Sequence, residues 1–178
     1  MDIEKLKFPI GKFVKPTTIT NDILATWIAD ISAFPKRLSD EVLNLTDEQL
    51  DTQYRPDGWT IRQVVHHCAD SHMNSLTRLK LSLTEDLPTI KPYFEERWAE
   101  LFDAKNMPIQ SSLKMLEGIH ERWTVLLNHL TTDQLKRMFI HPEHGKTFSV
   151  EENIGVYAWH CNHHLAHITE TKKRQNWK

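Results

Sequence analysis

The sequence is poor in the residues that mark disulfide-rich, barrel-like and membrane-spanning proteins. It contains two cysteines and five glycines in 178 residues. Two cysteines cannot form a disulfide framework, and so little glycine argues against a sandwich or barrel with many tight turns. No apolar run approaches the length of a transmembrane helix, so a membrane is not an expected partner.

A large excess of charge of one sign is missing as well. The formal net charge is −2 at pH 7, and the basic residues form no block beyond Lys172, Lys173 and Arg174. Such a group suits the C-terminal end of a helix, so nucleic acid is not an expected partner either. The first residues are charged and include no apolar segment of signal-peptide length, which predicts a cytoplasmic location.

Apolar residues recur at helical spacing and predict an all-α, four-helix bundle. Thr20 can cap the first long helix, in which Pro35 should produce a kink or the start of a new helix. Capping boxes at Thr60–Gln63 and Ser149–Glu152 should open the second and the last long helices. The third long helix is predicted from Gln110 to Asn128.

The segments between these helices are predicted to be short. Residues 1–19 should form an extended arm, a capping box at Thr46–Gln49 should open a short turn, and Tyr93 to Phe102 should form a short connecting helix. A loop is expected around His141 to Lys146. The length fits a single domain over residues 1–178.

Four histidines lie within eight residues of the last predicted helix. His160 and His164 are four residues apart, as are His163 and His167, so each pair can project from one face of the helix. Such a pair can occupy two positions around one metal ion. One helix cannot supply every ligand, so a third must come from elsewhere, and the best candidate is the doublet His66-His67.

Helical phase and a weak internal repeat favour His67 over His66. The segment 45–50 echoes the segment 130–135, and each copy leads into a capped helix that contains a His-Cys step. His67 and His160 fall on corresponding flanks of their apolar stripes, so a local twofold would bring them together. His66 falls on the opposite flank.

The other histidines are interpreted without a metal ion. His163 is expected to face solvent or an interface. His167 is expected to orient a ligand, or to take its place if the helical phase is different. The rest are interpreted as packed residues without a convincing partner: His72, His120, His129, His141 and His144.

The cysteine side chains near the histidines are predicted to be packing residues, whereas the carboxylate side chains are considered for catalysis or helix capping. Cys68 and Cys161 lie near the centres of their apolar stripes, which predicts small buried residues rather than thiolate ligands. Asp70 is three residues beyond His67 and is the candidate catalytic residue, as a base or as a hydrogen-bond acceptor for a ligand imidazole. Helix capping fully explains Glu152.

Three neutral imidazoles around a divalent metal ion leave coordination positions open to water or substrate. Bound water becomes a nucleophile for hydrolysis, whereas a bound thiol loses its proton and can be transferred to an electrophile. Spacing alone does not separate these reactions from a non-catalytic, metal-binding stress-response module or from purely structural histidines. Zn²⁺ is the first choice of metal, with Ni²⁺ or another transition metal as alternatives.

Three segments resemble the DinB/YfiT-like family of four-helix-bundle proteins, and its YfiT branch in particular. They are LKFPIGKFVKP in the arm, RPDGWTIRQVVHHCADSH at the second long helix and WHCNHHLAHI in the last helix. The resemblance implies metal ligands at His67, His160 and His164, a homodimer and a cytoplasmic location. It also implies a metal-dependent hydrolase acting on a small molecule, with transfer of a low-molecular-weight thiol such as bacillithiol as the alternative.

Overall fold

A computed structural model describes residues 2–177, with the exception of the His144 side chain. In chain order its helices and strands are α1 (Ile3–Lys7), α2 (Asn21–Val42), α3 (Asp47–Leu50), α4 (Ile61–Thr84), α5 (Glu95–Trp98), α6 (Phe102–Asn106), α7 (Gln110–Leu127), α8 (Thr132–Lys136), β1 (Met138–His141), β2 (Lys146–Ser149) and α9 (Val150–Gln175). A 3₁₀ turn at Pro142–His144 joins the two strands. Within these residues, no helix has the length and apolar character needed to cross a membrane.

The long helices α2, α4, α7 and α9 form the four-helix bundle that the sequence predicts. Helix α2 packs against α7 and α9, and α4 packs against the same two helices, so α2 and α4 lie on one diagonal of the bundle. The core between them is aliphatic and aromatic, and its buried side chains include Phe34, Leu38, Trp123, Ile154 and Ile168. This arrangement puts α4 beside α9, the two helices that carry the predicted metal ligands.

Side-chain caps begin α2, α4 and α9 where the sequence predicts them. Thr60 accepts a hydrogen bond from the backbone N–H of Gln63, whose side chain accepts one from the N–H of Thr60, so the capping box of α4 is confirmed. Ser149 caps α9 by accepting a hydrogen bond from the N–H of Glu152, but the predicted capping box is only half formed, because no described hydrogen bond joins the Glu152 carboxylate to the N–H of Ser149. Capping does not fully explain Glu152, however, because its carboxylate accepts a hydrogen bond from Lys15 Nζ at 2.7 Å. That ion pair ties the N-terminal arm to α9.

The alternative in which a new helix starts at Pro35 is wrong, because α2 continues through Pro35 to Val42. Proline has no N–H, so the carbonyl one turn earlier, that of Ile31, lacks its usual helical partner. The Nδ1 atom of His120 on α7 lies 2.6 Å from that carbonyl oxygen. A donor from a neighbouring helix therefore replaces the missing hydrogen bond, and no buried carbonyl is left unpaired at the proline.

The N-terminal arm is only partly extended. It begins with the short helix α1, which the sequence does not predict, and then runs along the outside of α9. Trp159 Nε1 donates a hydrogen bond to the carbonyl oxygen of Gly11 at 3.0 Å, and the Phe8 ring packs against the His163 ring with 5.8 Å between centroids. The arm thus covers one face of the histidine-bearing helix.

Two of the connections also differ from the prediction. The segment 93–102 does not form one helix, because α5 ends at Trp98 and α6 starts at Phe102. The expected loop at His141 to Lys146 is instead the end of a hairpin, in which these two residues face each other across β1 and β2. Strands of four residues are too short for a period of two to stand out from the sequence.

Gly155 lets α9 approach the indole ring of Trp27 on α2. A β-carbon at Gly155 would lie 2.6 Å from Trp27 Cη2, whereas a β-carbon at Gly118 on α7 would meet nothing within 4 Å. We expect Gly155→Ala to lower the free energy of unfolding by about 1–3 kcal/mol through overpacking. Gly118→Ala, the matched control, should raise it by about 0.5–1 kcal/mol because a helix-interior glycine is removed. Urea denaturation gives the sign of the change in the free energy of unfolding for each variant. Equal changes in Gly155→Ala and Gly118→Ala would contradict this explanation.

Candidate metal centre

Three histidines from two helices bring their ring nitrogens together where α4 meets α9. The candidate ligand atoms of His67, His160 and His164 lie within 4.8 Å of one another. His67 Nε2 and His160 Nε2 are 3.2 Å apart, and the ring centroids of His160 and His164 are 4.4 Å apart. The structure therefore brings the three predicted ligands together, and their coordination of a metal ion remains a prediction.

The two histidines of the doublet face opposite sides of α4. His67 faces α9, whereas His66 faces α7 and the segment before it. His66 Nδ1 lies 2.7 Å from Ser112 Oγ, and His66 Nε2 lies 3.1 Å from the carbonyl oxygen of Met107. Both nitrogens of His66 are therefore engaged away from α9, and the prediction that His67 is the neighbour of His160 is confirmed.

Burial keeps the three converging rings neutral near pH 7. Desolvation is the largest effect on each ring; it lowers the pKa of His67 to about 3 and the pKa of His160 and of His164 well below the usual range. Neutral imidazole is the form that binds a metal ion, because its unprotonated nitrogen donates a lone pair. Three neutral nitrogen donors at this separation fit a divalent transition metal.

His167 has both ring nitrogens engaged beside the His164 ring, an arrangement that suits the role of orienting a ligand better than that of replacing one. Its Nε2 atom lies 3.1 Å from the carbonyl oxygen of Lys7, and its Nδ1 atom lies 3.4 Å from His164 Nδ1. Because a carbonyl can only accept, Nε2 of His167 donates and its Nδ1 is free to accept from His164. The ring is held further by stacking on Tyr54, with 3.9 Å between centroids.

The prediction that His163 faces solvent or an interface is wrong. Only 7% of its surface is exposed, and its ring stacks on Trp159 with 4.4 Å between centroids. Phe8 from the arm lies on it as well, so the arm covers the face of α9 that helical phase alone assigns to solvent. Burial also lowers the pKa of His163 to about 4.

His72 and His120 have partners, contrary to the prediction that each lacks a convincing one. His72 Nδ1 lies 2.7 Å from His120 Nε2, and His72 Nε2 lies 3.0 Å from His160 Nδ1. Both side chains are essentially inaccessible to solvent. Their positions on the apolar stripes of α4 and α7 were the available signal, since a buried imidazole must find a hydrogen-bond partner.

The remaining histidines contribute no nitrogen to this cluster among the residues that the structure describes. His129 lies just after α7, and its Nδ1 atom is 2.7 Å from the carbonyl oxygen of Val125 in the last turn of that helix. His141 is buried in the hairpin beside the Phe148 ring. The side chain of His144 lies outside the described part of the chain.

Two further groups of potential ligand atoms also lie within 4.8 Å of one another: His72, His120 and Cys161, and His163, His164 and His167. In the first group all four ring nitrogens are already hydrogen-bonded, and burial raises the pKa of the Cys161 thiol well above its usual range. In the second group both nitrogens of His167 are hydrogen-bonded. Cys68 is buried with a raised pKa too, which agrees with the prediction that neither cysteine is a thiolate ligand.

Asp70 does not join the converging histidines. Its pKa is raised to about 6, mainly by burial and further by the charge of Asp103 on α6. The charge of Asp103 also acts on His66, which places Asp70 on the side of α4 that faces away from α9. No described hydrogen bond links its carboxylate to an imidazole. The geometry therefore gives no support to Asp70 as a base or as an acceptor for His67.

Two hydroxyl groups that sequence reasoning missed lie beside His160 instead. Ser71 Oγ is 3.5 Å from His160 Nε2, and Tyr157 Oη is 3.4 Å from Ser71 Oγ. Ser71 follows His67 by four residues and Tyr157 precedes His160 by three. That helical spacing was the signal that could have indicated them, because it places each hydroxyl on the same face as a predicted ligand.

A cavity of about 620 Å³ reaches this edge of the cluster, and His160, Ser71 and Tyr157 form part of its wall. Its lining also includes Arg78, Asn153 and the rings of Tyr93, Phe94, Phe139 and Phe148. A larger cavity, of about 950 Å³, lies between α2 and α7, and none of the three converging histidines lines it within the described residues. The smaller cavity therefore offers a small molecule a route to His160, the candidate ligand in its wall.

Comparison of the amino-acid sequence with known proteins gives extensive matches. The family model described as the DinB superfamily matches residues 31–168. A protein of Oceanobacillus iheyensis named "Putative metal-dependent hydrolase" is 53% identical over 171 residues, which covers 96% of this chain and 98% of the relative. A protein of the same name from Bacillus cereus strain 03BB102 is 52% identical over 172 residues, which covers 97% and 98% of the two chains.

The fold is also similar to a solved structure, that of YfiT from Bacillus subtilis. The TM-score is 0.95 at 47% sequence identity, and the match covers 98% of this chain and 99% of that chain. YfiT is described as "a probable metal-dependent hydrolase with an unusual four-helix bundle topology". The agreement in fold extends over the full bundle, including the two helices that carry the converging histidines.

Proposed function

Since the chain belongs to the DinB superfamily, we propose that it is a metal-dependent hydrolase in which His67, His160 and His164 hold a divalent metal ion. The observation that carries the proposal is the convergence of these rings from α4 and α9, with His160 in the wall of a cavity of about 620 Å³. Three neutral nitrogen ligands are the donor set of catalytic rather than structural sites. When bound, the metal ion acidifies coordinated water towards neutral pH.

The residues of the chain around this site would bind and orient the substrate. Ser71 and Tyr157 present hydroxyl groups at the edge of His160, and these can donate to or accept from the polar group of a substrate. Arg78 lines the same cavity, and its buried Nε atom has no hydrogen-bond partner among the described residues. The cavity thus combines aromatic walls with a few polar groups, as small-molecule sites do.

Zn²⁺ is the metal that we propose first, and Ni²⁺ or another transition metal is the alternative. Imidazole nitrogen suits all of these ions, so the ligands do not select among them. A cytoplasmic location and a homodimer also belong to the proposal, and the resemblance to the family is what supports them. Metal content must be measured on untagged protein purified without nickel resin, because such a resin would itself supply nickel.

Transfer of a low-molecular-weight thiol remains the alternative reaction, because neutral imidazole ligands also leave room for a bound thiolate. The two reactions make different demands on the cavity. Hydrolysis needs water and one substrate, whereas transfer needs a thiol and an electrophile together. The aromatic and polar lining described above accommodates either kind of small molecule, so a measurement of products separates them.

Removal of the metal should abolish hydrolysis. We expect chelator-treated protein to show no hydrolysis of a panel of activated esters and amides beyond that of buffer, and added Zn²⁺ to restore the rate in proportion to bound metal. The physical reason is that water without a metal ion is a poor nucleophile at neutral pH. The same samples are also incubated with a thiol and a haloarene.

Metal-dependent consumption of the thiol without hydrolysis would replace the hydrolase proposal with thiol transfer. Stoichiometric metal binding without turnover in either assay would favour a non-catalytic metal-binding module. Absence of bound metal after reconstitution with Zn²⁺ would leave the histidines with a structural role.

A further inference from the structure

A series of hydrogen bonds runs from α2 through the centre of the bundle to the candidate ligand His160. His120 Nδ1 lies 2.6 Å from the carbonyl oxygen of Ile31, and His120 Nε2 lies 2.7 Å from His72 Nδ1. His72 Nε2 then lies 3.0 Å from His160 Nδ1. Three imidazole rings from three different helices, α7, α4 and α9, are thereby connected end to end. We call this series the histidine relay.

The relay starts at a carbonyl group that Pro35 has made available. In an uninterrupted helix the Ile31 carbonyl would accept the N–H of residue 35, and proline has none. The His120 ring occupies that position in place of the helical donor. Pro35 therefore explains why α2 presents a strong acceptor towards α7 in the interior of the bundle.

The acceptor at one end determines the direction of every hydrogen bond in the relay. A carbonyl oxygen can only accept, so the proton of the first bond is on His120 Nδ1. In a neutral ring the other nitrogen then has a lone pair, so His120 Nε2 accepts from His72 Nδ1. By the same argument His72 Nε2 accepts from His160 Nδ1. The proton of His160 is therefore on Nδ1, and its Nε2 atom keeps a lone pair.

The packing around the two inner rings agrees with this arrangement of single protons. Burial is the largest effect on His120 and lowers its pKa to about 4. The hydrogen-bond partners of the His72 and His120 rings are other imidazoles and a backbone carbonyl, with no acidic side chain among them in the described part of the chain. The Phe34 and Trp123 rings pack against both histidines. A second proton in this interior would be poorly solvated, so the series of single protons is the stable arrangement.

We propose that His72 and His120 are positioning residues that hold His160 in the tautomer with hydrogen on Nδ1, so that Nε2 is ready to bind the metal ion. The inference rests on the proposed metal site. Outer partners of this kind orient ligand imidazoles and select their tautomer in metal sites generally. Here the partner is not a single residue but a relay of two rings that ends at a helix carbonyl.

The neighbouring contacts agree with this direction. His67 Nε2 lies 3.2 Å from His160 Nε2, and in the metal-free protein the first can donate to the lone pair of the second. His164 is held in a similar way by His167, whose Nε2 atom donates to the carbonyl oxygen of Lys7. Both ligands from α9 thus have Nδ1 engaged by another ring, which leaves each Nε2 for the metal ion.

The first test determines the tautomer of His160 in metal-free protein and does not depend on an enzymatic assay. Long-range ¹H–¹⁵N correlations on protein labelled with ¹⁵N-histidine distinguish a proton on Nδ1 from one on Nε2. We expect His160 to be in the Nδ1–H form in the parent. In His72→Phe, which keeps a ring but removes the acceptor, that single form should be lost. His160 in the Nε2–H form in the parent would overturn the proposal.

The second test measures metal affinity by competition with a chelator, using Zn²⁺ and Co²⁺. We expect His72→Phe to bind about 10–100-fold more weakly than the parent, as is typical when an outer partner of a ligand is lost. His72→Gln should restore most of the affinity, because its side-chain oxygen can accept from His160 Nδ1–H. Thermal unfolding of each metal-free variant shows whether the fold is retained. If a variant does not fold, the tautomer of His160 in the parent protein still tests the proposal.

The outcomes separate this inference from the proposed function. If the parent binds no metal ion, the proposed function fails and the inference fails with it. If the parent binds metal and His72→Phe binds it equally tightly, only the inference fails. Equal weakening in His72→Phe and His72→Gln would also overturn it, because loss of packing rather than loss of the acceptor would then be responsible.

Discussion

Replacing His67 with alanine is expected to remove the metal ion and, with it, the hydrolytic activity. His67 is the candidate ligand that α4 contributes to the cluster, and without it only the two candidate ligands from α9 would hold the ion. We expect metal affinity to fall by more than the ~10–100-fold that follows loss of an outer partner. Elemental mass spectrometry gives the metal content per chain, on untagged protein that has not met nickel resin.

His66→Ala is the matched control for this experiment. His66 is the adjacent residue on the same helix and is equally buried, but it faces Ser112 and the carbonyl oxygen of Met107. Its removal leaves those groups without a partner and should lower the free energy of unfolding by about 1–3 kcal/mol. The metal content should stay that of the parent. Loss of metal in His66→Ala but not in His67→Ala would show that the wrong member of the doublet has been assigned.

The metal-free protein is expected to unfold steeply as the pH falls from about 6.5 to 5. Burial lowers the pKa of His67 and His167 to about 3 and that of His120 and His163 to about 4, against an ordinary value of 6.5. Below pH 6.5 the unfolded chain therefore binds protons that the folded chain does not. By linkage, the stability of the fold is complete above 6.5 and decreases as the pH falls below it.

The size of this effect follows from the same linkage. At pH 5 each of these buried histidines lowers the free energy of unfolding by about 2 kcal/mol relative to pH 8. Together they rival the ~5–15 kcal/mol by which domains are usually stable. Asp70 acts in the opposite direction, because its pKa is raised to about 6 and the folded state takes up a proton there first. Burial also raises the pKa of Glu95, which acts in the same direction as Asp70, and two carboxyl groups cannot offset several histidines.

Urea denaturation at a series of pH values measures the effect directly. The slope between pH 6.5 and 5 should correspond to several protons taken up on unfolding. Saturation with Zn²⁺ should move the unfolding midpoint to lower pH, because the ion binds the folded state with neutral ligands and not the unfolded chain. A flat profile down to pH 5 would mean that the buried rings are charged in the folded protein.

Much of the candidate site could be predicted because the relevant patterns are local. The capping residues Thr60 and Ser149 and the spacing of His160 and His164 act within one or two helical turns. At that range the helix geometry alone determines which side chains share a face. Apolar stripes on four long segments similarly predicted the bundle, because burying one stripe per helix has few solutions.

Other features were missed because they depend on contacts between elements distant in the sequence. His163 sits on a face that helical phase assigns to solvent, and the N-terminal arm covers it. Asp70 follows His67 by three residues, and yet the rotation of α4 turns its carboxylate towards the charge of Asp103. The position of a residue on a helix specifies the direction in which its side chain points. The segment that the side chain meets in that direction depends on how the rest of the chain packs.

By itself, the sequence determined that four amphipathic helices pack as a bundle and that His67, His160 and His164 can converge. Only the tertiary structure decided what holds those rings. In the relay, the hydrogen bond between the Ile31 carbonyl and His120 joins residues 89 positions apart in the sequence, and the one between His72 and His160 joins residues 88 positions apart. Hydrogen bonds form over about 3 Å, so a small rotation or shift of one helix against another makes or breaks them. No local pattern encodes an alignment of that precision, and the packing of four helices provides it.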